Sequence, residues 1–203
     1  LEKLAAIRRK IGYPEEWRDY AGLSVRPDDY FGNALRANES EFLREKRKLG
    51  SPVDRGEWFM SASEVNAYYS PTMNDIAFPA AILQWPFFSL ASDDAVNYGA
   101  IGSVIAHELT HGFDDQGSKY DGTGNLNEWW TAEDRRRFDE KGPMLAAHYS
   151  EYRVHGTPVN GEYTKGENIA DLGGLVIAYD AFQAHLARHP EAKVEKDGFT
   201  PEQ

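Results

Sequence analysis

The chain of 203 residues contains no cysteine, which excludes disulfide staples, thiolate metal sites and cysteine nucleophiles. It has no apolar run approaching the roughly 20 residues that a helical membrane crossing requires. Basic residues are few beside acidic ones, 22 against 33, for a formal net charge of −11. That balance argues against nucleic acid or an anionic membrane as partner, and it favours cationic over anionic peptides. No internal repeat is visible, and no segment carries the spaced carboxylates and closing glutamate of an EF-hand; Asp121-Gly122-Thr123-Gly124-Asn125 is a turn cluster only. What is present is aromatic content of 13%, enough for a sizeable core. The length suits one domain, or one with an appended lobe, that buries roughly 70% of its unfolded surface.

His107-Glu108-Leu109-Thr110-His111 is the most informative stretch. On a helix, residues four apart share a face, so both imidazoles can reach one ion. Glu108 projects beside that ion, where it can accept a proton from a water molecule held there. The preceding Tyr98-Gly99-Ala100-Ile101-Gly102-Ser103-Val104-Ile105-Ala106 is almost uncharged, which predicts a buried helix over about 97–113. Two buried histidines and a glutamate are costly unless paired or bound to metal.

Catalytic zinc usually takes three protein ligands and one open position. Glu167-Asn168-Ile169-Ala170-Asp171 opens a second apolar segment, and its two carboxylates are four apart. Glu167 can complete the zinc shell while Asp171 accepts a histidine N–H and sets its tautomer. Gly173 and Gly174, poor helix formers, predict close approach to another helix. A competing reading makes Thr164 and Glu167 a capping box, with Glu167 spent on its own helix end. An Asp171 buried among apolar neighbours would weigh against it.

His107-Glu108-Leu109-Thr110-His111-Gly112-Phe113-Asp114-Asp115, taken with Glu167 to Gly174, resembles the neprilysin and endothelin-converting-enzyme family of zinc peptidases, peptidase family M13. Val65-Asn66-Ala67-Tyr68-Tyr69, Phe78 to Gln84, Phe87-Phe88, Asn97-Tyr98-Gly99, Gly124-Asn125-Leu126 and Trp129-Trp130 extend the resemblance from about Lys10 to the last residue. It implies one zinc ion held by His107, His111 and Glu167, with Glu108 as general base. Asp171 is implied as the carboxylate behind one histidine, with a proton-transfer role, and Asp114 or Asp115 as the carboxylate behind the other. Asn66 and Ala67 are implied to bind the substrate backbone as an added strand. Phe87 and Val104 are implied to line an apolar pocket for a bulky residue after the scissile bond. The implied fold is α+β, a thermolysin-like zincin, mainly helical with a small, mostly antiparallel sheet. The implied activity is zinc-dependent endopeptidase cleavage of oligopeptides.

The same resemblance covers less than a third of a typical member. Residues 1–203 are therefore expected to be a partial catalytic domain, without the N-terminal helical domain or the final part of the catalytic domain, which supplies a further histidine and arginine. The native partner is then the rest of the same chain. A missing transition-state donor commonly costs about 10²–10³ in rate, so the fragment is expected to bind zinc and to hydrolyse peptides poorly. Two alternatives are a catalytically silent zinc-stabilised module and a peptide-binding domain. Without cysteine, the chain resembles bacterial members, which favours a periplasmic or extracellular location over the cytoplasm.

Among other elements, residues 1–9 predict a short amphipathic helix and 28–49 a charged helix with apolar positions near a 3.6 period. Residues 64–69 and 75–78 predict a hairpin-like pair of strands. Helices are predicted to start at Thr131, with acids in the first turn, and to run over about 165–188. His185 and His189, at the end of the latter, read as cations complementing the helix dipole; His148 and His155 read as surface residues.

Overall fold

A computed structural model describes residues 1–196 and 198–202. Two compact units are present, one of Leu1–Tyr13 with Met60–Gln203 and one of Pro14–Phe59. Among the described residues no helix is long and apolar enough to cross a membrane.

The first unit begins with α1 (Glu2–Ala5), followed by strand β1 (Arg8–Gly12). This corrects the expected single helix over residues 1–9. The run Arg8-Arg9-Lys10-Ile11 has no apolar period, and it becomes a strand because another strand offers it a partner. In the second unit, α2 (Tyr30–Arg47) is capped by the Asp29 side chain, which accepts the Gly32 amide at 3.0 Å. Its apolar positions are not buried: Tyr30 and Phe31 are 89% and 74% exposed. Side-chain order comes instead from Arg44 and Lys48, which bridge Glu41, Glu45 and Glu57. Exposed pairs of this kind contribute little each.

Back in the first unit, β2 (Tyr68–Ser70) and β3 (Asp75–Pro79) form an antiparallel pair with Tyr69 opposite Ile76. Asn74, with φ of +48°, makes the turn between them, as asparagine tolerates. The strand order is β1-β3-β2, so β2 is an edge, and β1 runs parallel to β3 with Ile11 opposite Phe78. Parallel neighbours need a long crossover, and residues 13–74 lie between these two strands. Every residue of β3 is buried, as expected of a central strand. Its Ile76 and Phe78 form the core cluster with Ala67, Ile82 and Ile101.

A helical stretch then runs from α3 (Asp94–Asn97) through a widened π-type turn (Tyr98–Gly102) into α4 (Ser103–His111). α5 (Ala132–Tyr149) starts at Thr131, whose side chain accepts the Asp134 amide at 3.1 Å, as the acidic first turn predicts. A two-residue loop, His155-Gly156, with positive φ at both positions, joins β4 (Arg153–Val154) to β5 (Thr157–Pro158) in an antiparallel hairpin. α6 (Lys165–Arg188) completes the unit and lies against α4. Its buried row is Ala170, Gly174, Ala178, Phe182 and Leu186, four residues apart, with Asn168 also buried in its first turn, while Leu172, Leu175 and Val176 are exposed.

Candidate metal centre

The packing of α6 on α4 depends on its glycines. A Cβ on Gly174 would lie 2.8 Å from the His107 amide nitrogen and 3.0 Å from the Ser103 carbonyl oxygen. A Cβ on Gly173 would lie 2.8 Å from the Thr110 methyl. The expected close approach is therefore realised, and it brings the start of α6 over the histidine face of α4.

There the Nε2 atoms of His107 and His111 lie 3.4 and 3.5 Å from Glu167 Oε2. These three donors all fall within 4.8 Å of one another and can hold a metal ion. Zinc bonds of roughly 2.0–2.2 Å place tetrahedral vertices roughly 3.3–3.6 Å apart, so the observed edges match. The Nδ1 faces support the same assignment. His107 Nδ1 pairs with Asp171 Oδ1 at 2.8 Å, and His111 Nδ1 with Asp114 Oδ2 at 2.7 Å. A carboxylate on Nδ1 holds the proton there and leaves the Nε2 lone pair free for a cation. The residues present thus fit a zinc ion.

Of Asp114 and Asp115, Asp114 is the one that bonds a ring, at His111 Nδ1. Its second oxygen, Oδ1, accepts the amides of Gln116 and Gly117 at 2.9 and 2.7 Å, which locks the carboxylate under His111. Asp115 instead accepts Gln116 Nε2 at 2.7 Å, away from either ring. The capping box is not formed. Thr164 Oγ1 donates to the Asn160 carbonyl and accepts from Asn168 Nδ2, so Glu167 is left to face the imidazoles. One argument is corrected: Asp171 is not buried, its side chain being 71% exposed. Its place in the site rests on the bond to His107 and not on burial.

Glu108 is 6% exposed. Burial pushes its carboxyl above the usual range, and Glu167 adds to this; His111, His107 and the Tyr69 amide pull the other way. Burial would lower His111, but the Asp114 hydrogen bond, with the charges of Asp114, Glu108 and Glu167, outweighs it and raises the imidazole.

These groups open into a cleft of about 400 Å³ lined in part by Asn66, Ala67, Tyr68, Tyr69, Glu108 and Glu167. Asn66 and Ala67 precede β2 directly, at the edge of the sheet. Phe87 and Val104 are not in the cleft wall; both pack on the core cluster below it. His185 and His189 lie apart, paired with Asp94 and Glu191 at 3.0 and 3.1 Å.

Near the centre, Lys3 carried no sequence signal, and the motif that includes Tyr69 and the turn that includes Asn74 gave no sign of their link to it. Lys3 is 2% exposed and donates to the carbonyls of Gly112, Gly117 and Tyr120. Burial lowers its pKa to about 8, with Asp114 and Asp121 opposing. Tyr69 donates from its hydroxyl to Asn74 Oδ1 at 2.9 Å, and Asn74 Nδ2 returns to the Lys3 carbonyl at 3.2 Å. A lone lysine in a four-residue helix gives no periodicity from which its burial can be read.

Comparison with known proteins points to one family. The profile of peptidase family M13 matches residues 66–203. Neprilysin-3 of Drosophila melanogaster is 44% identical over 190 residues, which cover 90% of this chain and 24% of that protein. Endothelin-converting enzyme 1 of Mus musculus is 45% identical over 192 residues, 90% of this chain and 25% of its own length. The crystal structure of the Mycobacterium tuberculosis zinc metalloprotease in complex with inhibitor superposes with a TM-score of 0.93 at 50% identity, covering 99% of this chain and 31% of that one. The chain spans about a quarter of the length of the curated relatives it matches. The metal-binding geometry and the matched sequence together establish that this chain belongs to peptidase family M13.

Proposed function

We propose that residues 1–203 are part of the catalytic domain of a zinc metalloendopeptidase that cleaves oligopeptides. The observation carrying this reading is the convergence of His107 Nε2, His111 Nε2 and Glu167 Oε2 beside a buried Glu108. Zinc, when bound, supplies Lewis acidity, making water more acidic and polarising a peptide carbonyl.

The protein groups divide the remaining work. Glu108 takes a proton from the attacking water as the oxygen bonds to the carbonyl carbon, and the proton passes to the departing amine nitrogen as the C–N bond breaks. Its burial makes the carboxylate a stronger base than a solvated one. Asp171 and Asp114 hold the two rings in the required tautomer. Asn66 and Ala67, just ahead of edge strand β2, receive the peptide backbone as an added strand. Phe87 and Val104 stand outside the cleft wall, packed on the core cluster, so the preference for a bulky apolar residue after the scissile bond rests on the family resemblance and not on these two side chains.

The test is zinc content of the purified chain, together with cleavage of a peptide carrying a bulky apolar residue after the target bond, with and without chelator. One zinc per chain and product formation that disappears in Glu108→Gln support the reading. A chain that binds one zinc but forms no product above the Glu108→Gln background reduces the centre to a metal that stabilises folding. A chain without zinc affinity overturns the reading.

A further inference from the structure

We propose that Lys3 is a positioning residue for the metal centre: it clamps the loop after α4 so that Asp114 holds His111 with its Nε2 toward the ion. This rests on His111 being a ligand.

A buried ammonium is costly unless its donors are all used. Lys3 uses its three on the carbonyl oxygens of Gly112, Gly117 and Tyr120, at 2.6, 2.7 and 2.7 Å. The rings of Tyr69, Phe113 and Trp129 surround it, with centroids 5.8, 5.5 and 5.4 Å from Nζ. Such faces favour a cation.

The three carbonyls bracket the segment that carries Asp114. Gly117 is held from both sides, its amide by Asp114 Oδ1 and its carbonyl by Lys3. The loop is folded so tightly that a Cβ on Gly117 would fall 1.8 Å from the His111 carbonyl oxygen. Asp114 folds the middle of the loop through the Gln116 and Gly117 amides, and the Gly117 carbonyl also accepts the Tyr120 amide at 3.1 Å. Lys3 ties that turn to its two ends, collecting the Gly112, Gly117 and Tyr120 carbonyls on one cation. The main chain of Lys3 reaches the other half of the site through Asn74 and Tyr69, whose amide bonds Glu108.

The experiment measures zinc affinity by chelator competition in Lys3→Met, Asp114→Ala and the double variant, with Leu186→Ala as a control for general destabilisation. Leu186 is 1% exposed and lies near the far end of α6. Lys3→Met is expected to lose affinity by about tenfold, the lower end for residues that support a metal ligand. Its loss and that of Asp114→Ala are expected to combine to less than their product, since they act through one path. Leu186→Ala is expected to lower Tm and leave affinity unchanged.

A Lys3→Met chain that melts earlier but binds zinc within twofold of wild type overturns the proposal, as do independent, multiplicative losses. Should Lys3→Met not fold, amide exchange in the wild-type chain decides. Protection of Gly117 comparable to that of β3 upholds the clamp, and rapid exchange refutes it. Zinc binding by the wild-type chain is measured first, so failure of the metal assignment is seen separately from failure of the clamp.

Discussion

Gly174→Ala tests the idea that the metal centre is assembled by the approach of two helices. The new methyl would sit 2.8 Å from the His107 amide nitrogen, where ordinary contact begins at 3.4 Å, so the helices must part locally by about 0.6 Å. All three neighbouring atoms are backbone, at 2.8, 3.0 and 3.0 Å, and none can rotate away. Alanine gains up to about 1 kcal/mol of helix propensity over glycine. Overpacking costs about 1–3 kcal/mol, so the net effect is a loss of up to about 2 kcal/mol. For a domain this size that lowers Tm by a few degrees, at roughly 2–4 °C per kcal/mol.

The effect on the metal is larger in proportion. Glu167 and Asp171 ride on α6, while both imidazoles ride on α4. A displacement of 0.6 Å exceeds the roughly ±0.2 Å tolerance of metal–ligand bonds. Zinc affinity is expected to fall by at least about tenfold. Gly173→Ala is the comparison: its methyl meets the Thr110 side chain, which can turn, so a smaller loss is expected. Chelator competition and thermal melts with and without zinc read both quantities. A Gly174→Ala chain with wild-type affinity and Tm would refute the argument.

Three other outcomes are expected. Glu108→Gln keeps the shape of the side chain and still accepts the Tyr69 amide, so zinc should stay bound while cleavage falls by about 10²–10⁴. The raised carboxyl of Glu108 favours folding at low pH and loses that contribution as pH climbs through its folded value. The metal-free Glu108→Gln chain should therefore gain Tm relative to wild type between pH 4 and 8, and parallel pH profiles would count against it. The raised His111 likewise contributes to metal-free stability in full below its ordinary value of about 6.5, and loses this as pH rises through the folded value. Since a proton on His111 excludes zinc, affinity should drop by about tenfold per pH unit below that value; a flat profile from pH 8 to 5 would contradict this. Asp171→Asn should weaken zinc by about tenfold and Asp115→Asn not at all. Equal effects of the two would undo the assignment of roles made from the His107 and His111 bonds.

The histidine pair, its intervening glutamate, the span of α6 and the close approach at Gly173 and Gly174 were all legible in the amino-acid order. Each depends on spacing along one helix, and the 3.6-residue turn converts spacing directly into a shared face. The start of α5 at Thr131 was legible because a cap is satisfied within four residues of itself. Other features have partners distant in sequence. β1 is a strand because β3 lies beside it, across a separation of more than sixty residues. The choice of Asp114 over Asp115 depended on how the loop turns beneath His111, and the exposure of Asp171 on which stripe of α6 faces α4. Lys3 is the extreme case: its three acceptors lie more than a hundred residues away, and only the folded chain brings them around one ammonium.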